Sequence, residues 1–184
     1  MHNAIIVAMV NALACASSHV GSLRFNFRSV EGAKGRHFCR NAGPIADAHE
    51  EQLDVIGAID GLLNAFSGIA VSIVGYSFGS MVGLRAAWAH PEVDRIALIA
   101  PAVRIFSYAE GHACRRPLPT DILVGDRDRF APVAEVRSLA KCLGARLHTI
   151  SGADHFFEGH QQDVAQMLLP CVAPETCTAD TFLR

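Results

Sequence analysis

The sequence predicts an α/β fold, a three-layer α/β/α sandwich in which helices cover both faces of a mostly parallel sheet. Short apolar runs alternate with longer segments of helical periodicity, which is the pattern of parallel strands joined by helices. Small and polar residues directly follow the apolar runs 71–74, 122–124 and 147–150. Parallel sheets bind ligands at the carboxyl ends of their strands, so these residues are the first candidates for a site.

Composition limits the chain to one globular unit. Its 184 residues are 51% hydrophobic and 18% charged, which excludes disorder and allows a sizeable core. We expect a single domain over residues 1–169 and a C-terminal tail over residues 170–184, because the segment after Pro170 is aperiodic. A net charge of −2 without any nucleic-acid-binding motif predicts no nucleic-acid partner. The oligomeric state is left open.

The apolar N-terminal residues 4–16 have two interpretations. The run ends in small residues and Cys15, as the core of a signal peptide or a lipoprotein site does. No Lys or Arg precedes the run, however, so we favour a helix packed on the sheet. At about 13 residues it is too short to span a bilayer, and we expect no membrane partner. The six cysteines contain no C-x-x-C pair and are interpreted as reduced thiols of a cytoplasmic protein.

The next elements are an early strand at residues 23–28 and a long helix that begins near Asp47. Asp47 and two glutamates lie in the first turns of this helix, where the positive end of the helix dipole favours them. Its apolar residues recur at three- and four-residue steps, which predicts that they form its buried face. They are Leu53, Ile56, Ile59, Leu63 and Phe66.

The later elements alternate regularly. The helix after the first clear strand contains Gly79 and Gly83 one turn apart, which allows it to approach the sheet closely. A later helix has Pro132 in its first turn and Gly144 as its stop. Strands are predicted at about 70–75, 94–100, 121–125 and 146–150.

Residues 75–79 read Gly-Tyr-Ser-Phe-Gly and lie where a predicted strand meets its helix. A serine on a tight strand-to-helix turn has strained backbone angles, and the residues two positions before and after it crowd each other, which favours Gly75 and Gly79. The turn lifts the hydroxyl of Ser77 clear of the sheet. The same pattern also occurs in ordinary Gly/Ser turns, so its context decides its meaning.

A nucleophilic serine needs a histidine base, and the histidine needs a carboxylate that fixes its tautomer. Both types of residue follow in the chain. Asp126 and Asp128 come after one predicted strand, and His155 comes after the next. Asp154 is set aside because adjacent side chains diverge. Alone, each aspartate would be an ordinary loop carboxylate, but three groups in this order at strand ends favour a catalytic arrangement.

With these motifs the sequence resembles the α/β-hydrolase family, in particular its small lidless members near the dienelactone hydrolase and short carboxylesterase groups. The resemblance covers about residues 3–169. It implies an α/β-hydrolase fold that is truncated at the N-terminus. The matching segments are residues 23–28, 75–79, 125–128 with Pro132 following, and 152–155.

The resemblance also implies a catalytic triad of Ser77, Asp128 and His155. The family places the acid three residues after the glycine at position 125, which favours Asp128 over Asp126 and leaves Asp126 to cap the turn. The backbone N–H of Phe78, the residue after the nucleophile, is the implied oxyanion donor.

The sequence departs from the family in two respects. Dienelactone hydrolases have cysteine where this chain has Ser77, so a lactone substrate does not carry over. The family's third strand and oxyanion loop have no counterpart in this sequence, which begins at Met1. We expect that the gene start has been assigned too far downstream or that the chain is a fragment. Direct pairing of residues 23–27 with residues 71–75 would argue against both. We expect a chain extended upstream to gain an apolar strand and a His- or Gly-rich loop, and to be more stable and more active.

The expected function is therefore a serine hydrolase for ester or thioester bonds of small substrates. The short segment between residues 100 and 121 leaves no room for a cap domain. The alternative is a non-catalytic or truncated relative that keeps the fold but has an incomplete oxyanion hole.

No cofactor or metal site is predicted. His155 and His160 are five residues apart, which places them on different faces of a helix. Arg104, Arg115 and Arg116 either shape the substrate pocket, together with nearby aromatic residues, or are solvated loop charges.

Overall fold

The structure is a computed structural model and describes residues 3–16, 19–27, 48–108 and 117–173. Four strands form one parallel sheet in the order β1-β2-β3-β4. The elements are α1 (Ala4–Ala16), α2 (His49–Ala65), β1 (Val71–Tyr76), α3 (Phe78–Ala89), β2 (Val93–Ile99), β3 (Thr120–Gly125), α4 (Val133–Leu143), β4 (Arg146–Ile150) and α5 (Gln161–Val172).

Helices cover both faces of the sheet, so the predicted three-layer α/β/α sandwich is confirmed. Alternate residues of β2 point to opposite sides: Ile96 and Leu98 pack against α2, α3 and α4, whereas Ala97 and Ile99 pack against α1 and α5. Every residue of β3 is buried, as expected for a strand covered on both faces.

Residues 23–27 were expected to form a strand, and this is wrong. Residues 21–27 have no helix or strand structure, and β1 lies at the edge of the described sheet. Phe25 and Phe27 instead pack edge to face, with ring centroids 5.8 Å apart, and Phe27 packs in the same way on Phe78 at 5.6 Å. Aromatic packing thus holds this segment in place of a strand ladder. An apolar cavity of about 580 Å³ lies between it, α2 and β1.

The predicted buried face of α2 is also partly wrong. Ile59 is buried as predicted, and Ile56 and Leu63 pack against the core. Leu53 and Phe66, however, are 46% and 58% exposed. Val55, four residues before Ile59 on the same face of the helix, is buried instead. Asp47, expected in the first turn, lies outside the described residues.

The ends of the other helices differ little from expectation. Pro132 precedes α4 with φ −59° and ψ 135°, instead of lying in its first turn, and Gly144 ends the helix in the left-handed conformation. Helix α5 continues through Pro170 to Val172. Residues 170–172 are therefore helical, and residues 174–184 of the expected tail lie outside the described residues. None of the described helices has the length and apolar character needed to cross a bilayer.

Candidate active site

Ser77 lies on the tight turn between β1 and α3, with φ 52° and ψ −116°. A side chain at Gly75 would place Cβ 2.7 Å from Cα of Ser80 and closer still to the carbonyl oxygen of Gly79, so only glycine fits there. Gly79 is different, because a Cβ at that position would meet only the Phe27 ring at 3.9 Å. The crowding predicted for this turn therefore constrains the first glycine and not the second.

The strained turn is held by hydrogen bonds to its backbone. The Ser77 N–H donates to the carbonyl oxygen of Ile99 on β2 at 2.9 Å. The Ser80 hydroxyl donates to the Ser77 carbonyl oxygen at 2.5 Å and lies 2.6 Å from the Tyr108 hydroxyl. Burial raises the pKa of Tyr108 well above its ordinary value, which keeps the phenol protonated. Neither Ser80 nor Tyr108 was identified from the sequence.

The structure brings Ser77, His155 and Asp128 into one hydrogen-bonded chain. The Ser77 Oγ lies 2.9 Å from Nε2 of His155, and Nδ1 of His155 lies 2.7 Å from Oδ2 of Asp128. Ser77 follows β1, Asp128 follows β3 and His155 follows β4, so the carboxyl ends of three strands of one parallel sheet supply all three groups. His155 is 7% exposed and Asp128 is 4% exposed, which shields their hydrogen bond from water.

Asp128 is oriented by its own loop. Its Oδ1 accepts the N–H groups of Phe130 at 2.8 Å and Ala131 at 2.9 Å, which leaves Oδ2 for the histidine. Gly125 permits this approach of two loops, because a Cβ there would lie 2.6 Å from the carbonyl carbon of Ala153. The carboxylate therefore has little freedom to rotate.

The other two aspartates of these loops bind backbone. Asp126 accepts the N–H of Gly152 at 2.7 Å and the Ser151 hydroxyl at 3.0 Å. Asp154 accepts the N–H of Phe156 at 2.9 Å. Both carboxylates stabilise turns, as the sequence predicts for Asp126.

Aromatic rings surround the histidine. The Tyr76 hydroxyl donates to the His155 carbonyl oxygen at 3.0 Å, and burial together with nearby Asp128 raises the pKa of Tyr76 to about 12. Phe130 and Phe156 approach the imidazole edge to face at 5.0 and 5.6 Å. These two phenylalanines are 41% and 59% exposed, so they form an apolar rim at the surface. The mouth of the site thus favours uncharged groups.

Phe78 is the first residue of α3, at the positive end of that helix. Its ring contacts Phe27 on one side and Phe106 on the other, at 5.6 and 5.3 Å. Ser77 and Phe78 also line the cavity beside β1. The predicted oxyanion donor therefore lies next to both the serine and an apolar space.

The remaining predicted groups do not join this site. Arg104 forms an ion pair with Glu135 at 2.6 Å and is 54% exposed, which fits a solvated loop charge. Arg115 and Arg116 lie outside the described residues. His160 pairs with Asp163 at 2.9 Å. In the described part of the chain, the residues grouped closely enough to bind a metal ion are Asp121, His148 and Cys171, away from the serine.

No family model matches the chain. Over 158 residues the chain is 30% identical to an uncharacterized protein of Rickettsia prowazekii. The aligned part is 79% of this chain and 62% of that protein, so the chain spans less than two thirds of the length of this relative.

Two solved structures are similar over nearly the whole chain. A serine hydrolase of the α/β type without a lid, from Xanthomonas campestris, is 25% identical with a TM-score of 0.76, covering 97% of this chain and 77% of that one. An α/β serine hydrolase homologue from Coxiella burnetii is 24% identical with a TM-score of 0.74, covering 94% and 78%. The likeness shows that the chain shares the fold of these two proteins.

Proposed function

Because the chain has the fold of the α/β hydrolases, we propose that it is a serine hydrolase that cleaves ester or thioester bonds of small substrates. The observation that carries the proposal is the hydrogen-bonded chain from Ser77 through His155 to Asp128, with links of 2.9 and 2.7 Å. Each link joins the atoms that general-base catalysis requires. A purely structural ion pair would not need a serine on a strained turn.

In the proposed mechanism, Nε2 of His155 takes the proton of the Ser77 hydroxyl as Oγ attacks the substrate carbonyl carbon. Asp128 holds the proton of Nδ1 and stabilises the imidazolium that forms. The tetrahedral oxyanion accepts a hydrogen bond from the backbone N–H of Phe78, and the start of α3 adds the favourable potential of its dipole.

Collapse of this intermediate breaks the bond to the alcohol or thiol, which leaves with the proton from His155. The product is an acyl group esterified to Ser77. Water then attacks this ester, with His155 again as the base, and releases the carboxylic acid and the free serine. Covalent catalysis thus needs no cofactor and divides one difficult step into two.

The surroundings of the serine support small, uncharged substrates. Phe130 and Phe156 form an apolar rim beside His155, and the cavity lined by Ser77 and Phe78 is apolar as well. We place the protein in the cytoplasm, where reduced thiols persist, because Cys15 and Cys142 are exposed free cysteines.

A fluorophosphonate probe tests the proposal, since it labels only activated serines and requires no knowledge of the substrate. We expect one label per chain, located on Ser77 by peptide mapping. Folded protein that takes up no label would instead identify the alternative, a non-catalytic α/β-hydrolase-like protein. Labelling at another serine would remove Ser77 from the nucleophile's role.

A further inference from the structure

A second polar cluster lies at the opposite end of the sheet from Ser77. Asp121, near the start of β3, is 3% exposed and pairs in register with Arg146 of β4. His148 lies two residues further along β4, on the same face as Arg146. Cys171 reaches the cluster from α5. Three separate elements thus supply one group of side chains.

The donor atoms of this cluster are close together. Oδ1 of Asp121 lies 2.8 Å from Nε2 of His148, and Sγ of Cys171 lies 4.0 Å from the same nitrogen. All three donor atoms lie within 4.8 Å of one another. Metal–ligand bonds of about 2.0 Å to nitrogen and oxygen and about 2.3 Å to sulfur would span such separations with small side-chain shifts.

We propose that Asp121, His148 and Cys171 bind a thiophilic divalent cation of the zinc type. The mixture of carboxylate oxygen, imidazole nitrogen and thiolate sulfur is a donor set that Zn²⁺ accepts and that Mg²⁺ or Ca²⁺ does not. Three protein ligands leave one tetrahedral position for water. The His148 side chain is 27% exposed, so the ion has a route from solvent.

The neighbouring charges are compatible with this ion. Arg146 donates to Oδ2 of Asp121 at 2.7 Å, which orients the carboxylate and leaves Oδ1 for the metal. The Arg146 side chain is 69% exposed, so water screens its repulsion of a cation. Arg95 donates to the Cys171 carbonyl oxygen at 3.4 Å. Burial opposes ionisation of Asp121, but the hydrogen bonds from Arg146 and His148 outweigh it and keep the pKa of Asp121 below its ordinary value.

The position of the cluster predicts a structural role. Asp121 and Gly125 are four residues apart on β3, or about 13 Å, which separates the ion from the serine end of the sheet. An ion held by β3, β4 and α5 would tie α5 to the sheet. It should raise the melting temperature, because a ligand that binds only the folded state stabilises it.

Titration of the untagged, reduced protein with Co²⁺ tests the proposal, since thiolate ligation produces a charge-transfer band in the near ultraviolet. We expect one ion per chain and displacement of Co²⁺ by Zn²⁺. Cys171→Ala should remove the band, and His148→Gln should weaken binding at least about tenfold. Cys142→Ser and His160→Gln alter residues outside the cluster and should leave binding unchanged. His155→Gln should also leave it unchanged, which excludes binding at the triad.

Absence of binding by both Co²⁺ and Zn²⁺ would overturn the proposal. So would a charge-transfer band that persists in Cys171→Ala, or a loss of binding in His155→Gln. If a cluster variant fails to fold, X-ray absorption spectroscopy of the zinc-loaded wild-type protein identifies the atoms that bind the ion. One sulfur with nitrogen or oxygen neighbours supports the site, and the absence of sulfur contradicts it.

Discussion

The two ends of the sheet carry similar sets of side chains in different arrangements. At the carboxyl ends of the strands, Asp128, His155 and Ser77 form a chain, whereas nearer the amino ends Asp121 and His148 meet Cys171. Each set contains a buried carboxylate, an imidazole and a potential nucleophile. Composition alone would assign both sets the same chemistry.

The atoms that meet distinguish the two sets. Asp128 binds Nδ1 of His155, so Nε2 is available to the serine and the imidazole bridges the two. Asp121 faces Nε2 of His148, the same nitrogen that Cys171 approaches. An imidazole with both partners on one nitrogen cannot transfer a proton from one side of the ring to the other. The first arrangement suits a general base, and the second suits convergence on a single ion.

The backbone at Ser77 also differs from the backbone at Cys171. Ser77 occupies a strained turn at the edge of the sheet, while Cys171 lies inside α5, where its thiol donates to the Met167 carbonyl oxygen at 3.6 Å. The pKa of Cys171 is raised to about 11, so little thiolate is present at neutral pH and the sulfur should be unreactive.

The largest difference between the two ends of the sheet is expected when Ser77 and Cys171 are each replaced by alanine. Ser77→Ala should lower the esterase rate by about a millionfold, as expected when the nucleophile of a triad is removed, and should abolish fluorophosphonate labelling. Cys171→Ala should leave both unchanged. Hydrolysis of p-nitrophenyl acetate and labelling of the two variants provide the measurement. A Cys171 variant that loses activity while remaining folded would contradict the separation of the two sets.

The next largest effect concerns the carboxylates. Asp128→Asn should lower the rate by about ten thousandfold, because an amide leaves the imidazole in the wrong tautomer. Asp121→Asn should preserve the rate but lower the melting temperature, since its bonds to Arg146 and His148 are weakened. Kinetics and thermal unfolding of both variants separate these outcomes. An Asp128→Asn variant with an esterase rate as high as that of Asp121→Asn would show that Asp128 does not orient His155.

A smaller effect is expected at Tyr108, which we interpret as a positioning residue. Tyr108→Phe removes the hydroxyl that contacts Ser80 and, at 3.4 Å, the Ser77 carbonyl oxygen. The loss of about 1 kcal/mol should reduce kcat by roughly three- to tenfold. KM and the pH profile should not change. A Tyr108→Phe variant with the wild-type kcat would show that the hydroxyl contributes nothing.

The smallest effect should come from Asp126, which binds Ser151 and Gly152 at the surface. Asp126→Asn weakens these turn contacts and should lower the free energy of unfolding by about 1 kcal/mol, with little change in rate. Urea denaturation and esterase assays measure the two quantities. A loss of rate larger than that of Asp128→Asn would exchange the roles assigned to the two aspartates.

Much of the candidate site could be predicted because its signals are local. The turn at Ser77 requires glycine at position 75, and Asp128 and His155 each follow an apolar run. A parallel sheet brings such strand ends together whatever the length of the intervening helices. The roles of these residues in catalysis stay predictions until activity is measured.

The rest depends on contacts between distant parts of the chain. Tyr108 reaches Ser80 from 28 residues away, and no periodicity signals that pair. Asp121 and Cys171 belong to segments that read as an ordinary strand and helix. Residues 23–27 have the composition of a strand, but Phe25 packs on Phe27 and Phe27 packs on Phe78 in place of pairing with β1. Strand composition predicts burial more reliably than it predicts hydrogen-bonding partners.

The open side of β1 has a practical consequence for handling the protein. Within the described sheet, β1 pairs with β2 alone, and its sequence Val-Ser-Ile-Val is rich in β-branched residues. A strand edge that has no backbone partner among the described residues is a template on which a strand from another molecule can align, and it is a common starting point for aggregation. Concentrated solutions should therefore become turbid on storage.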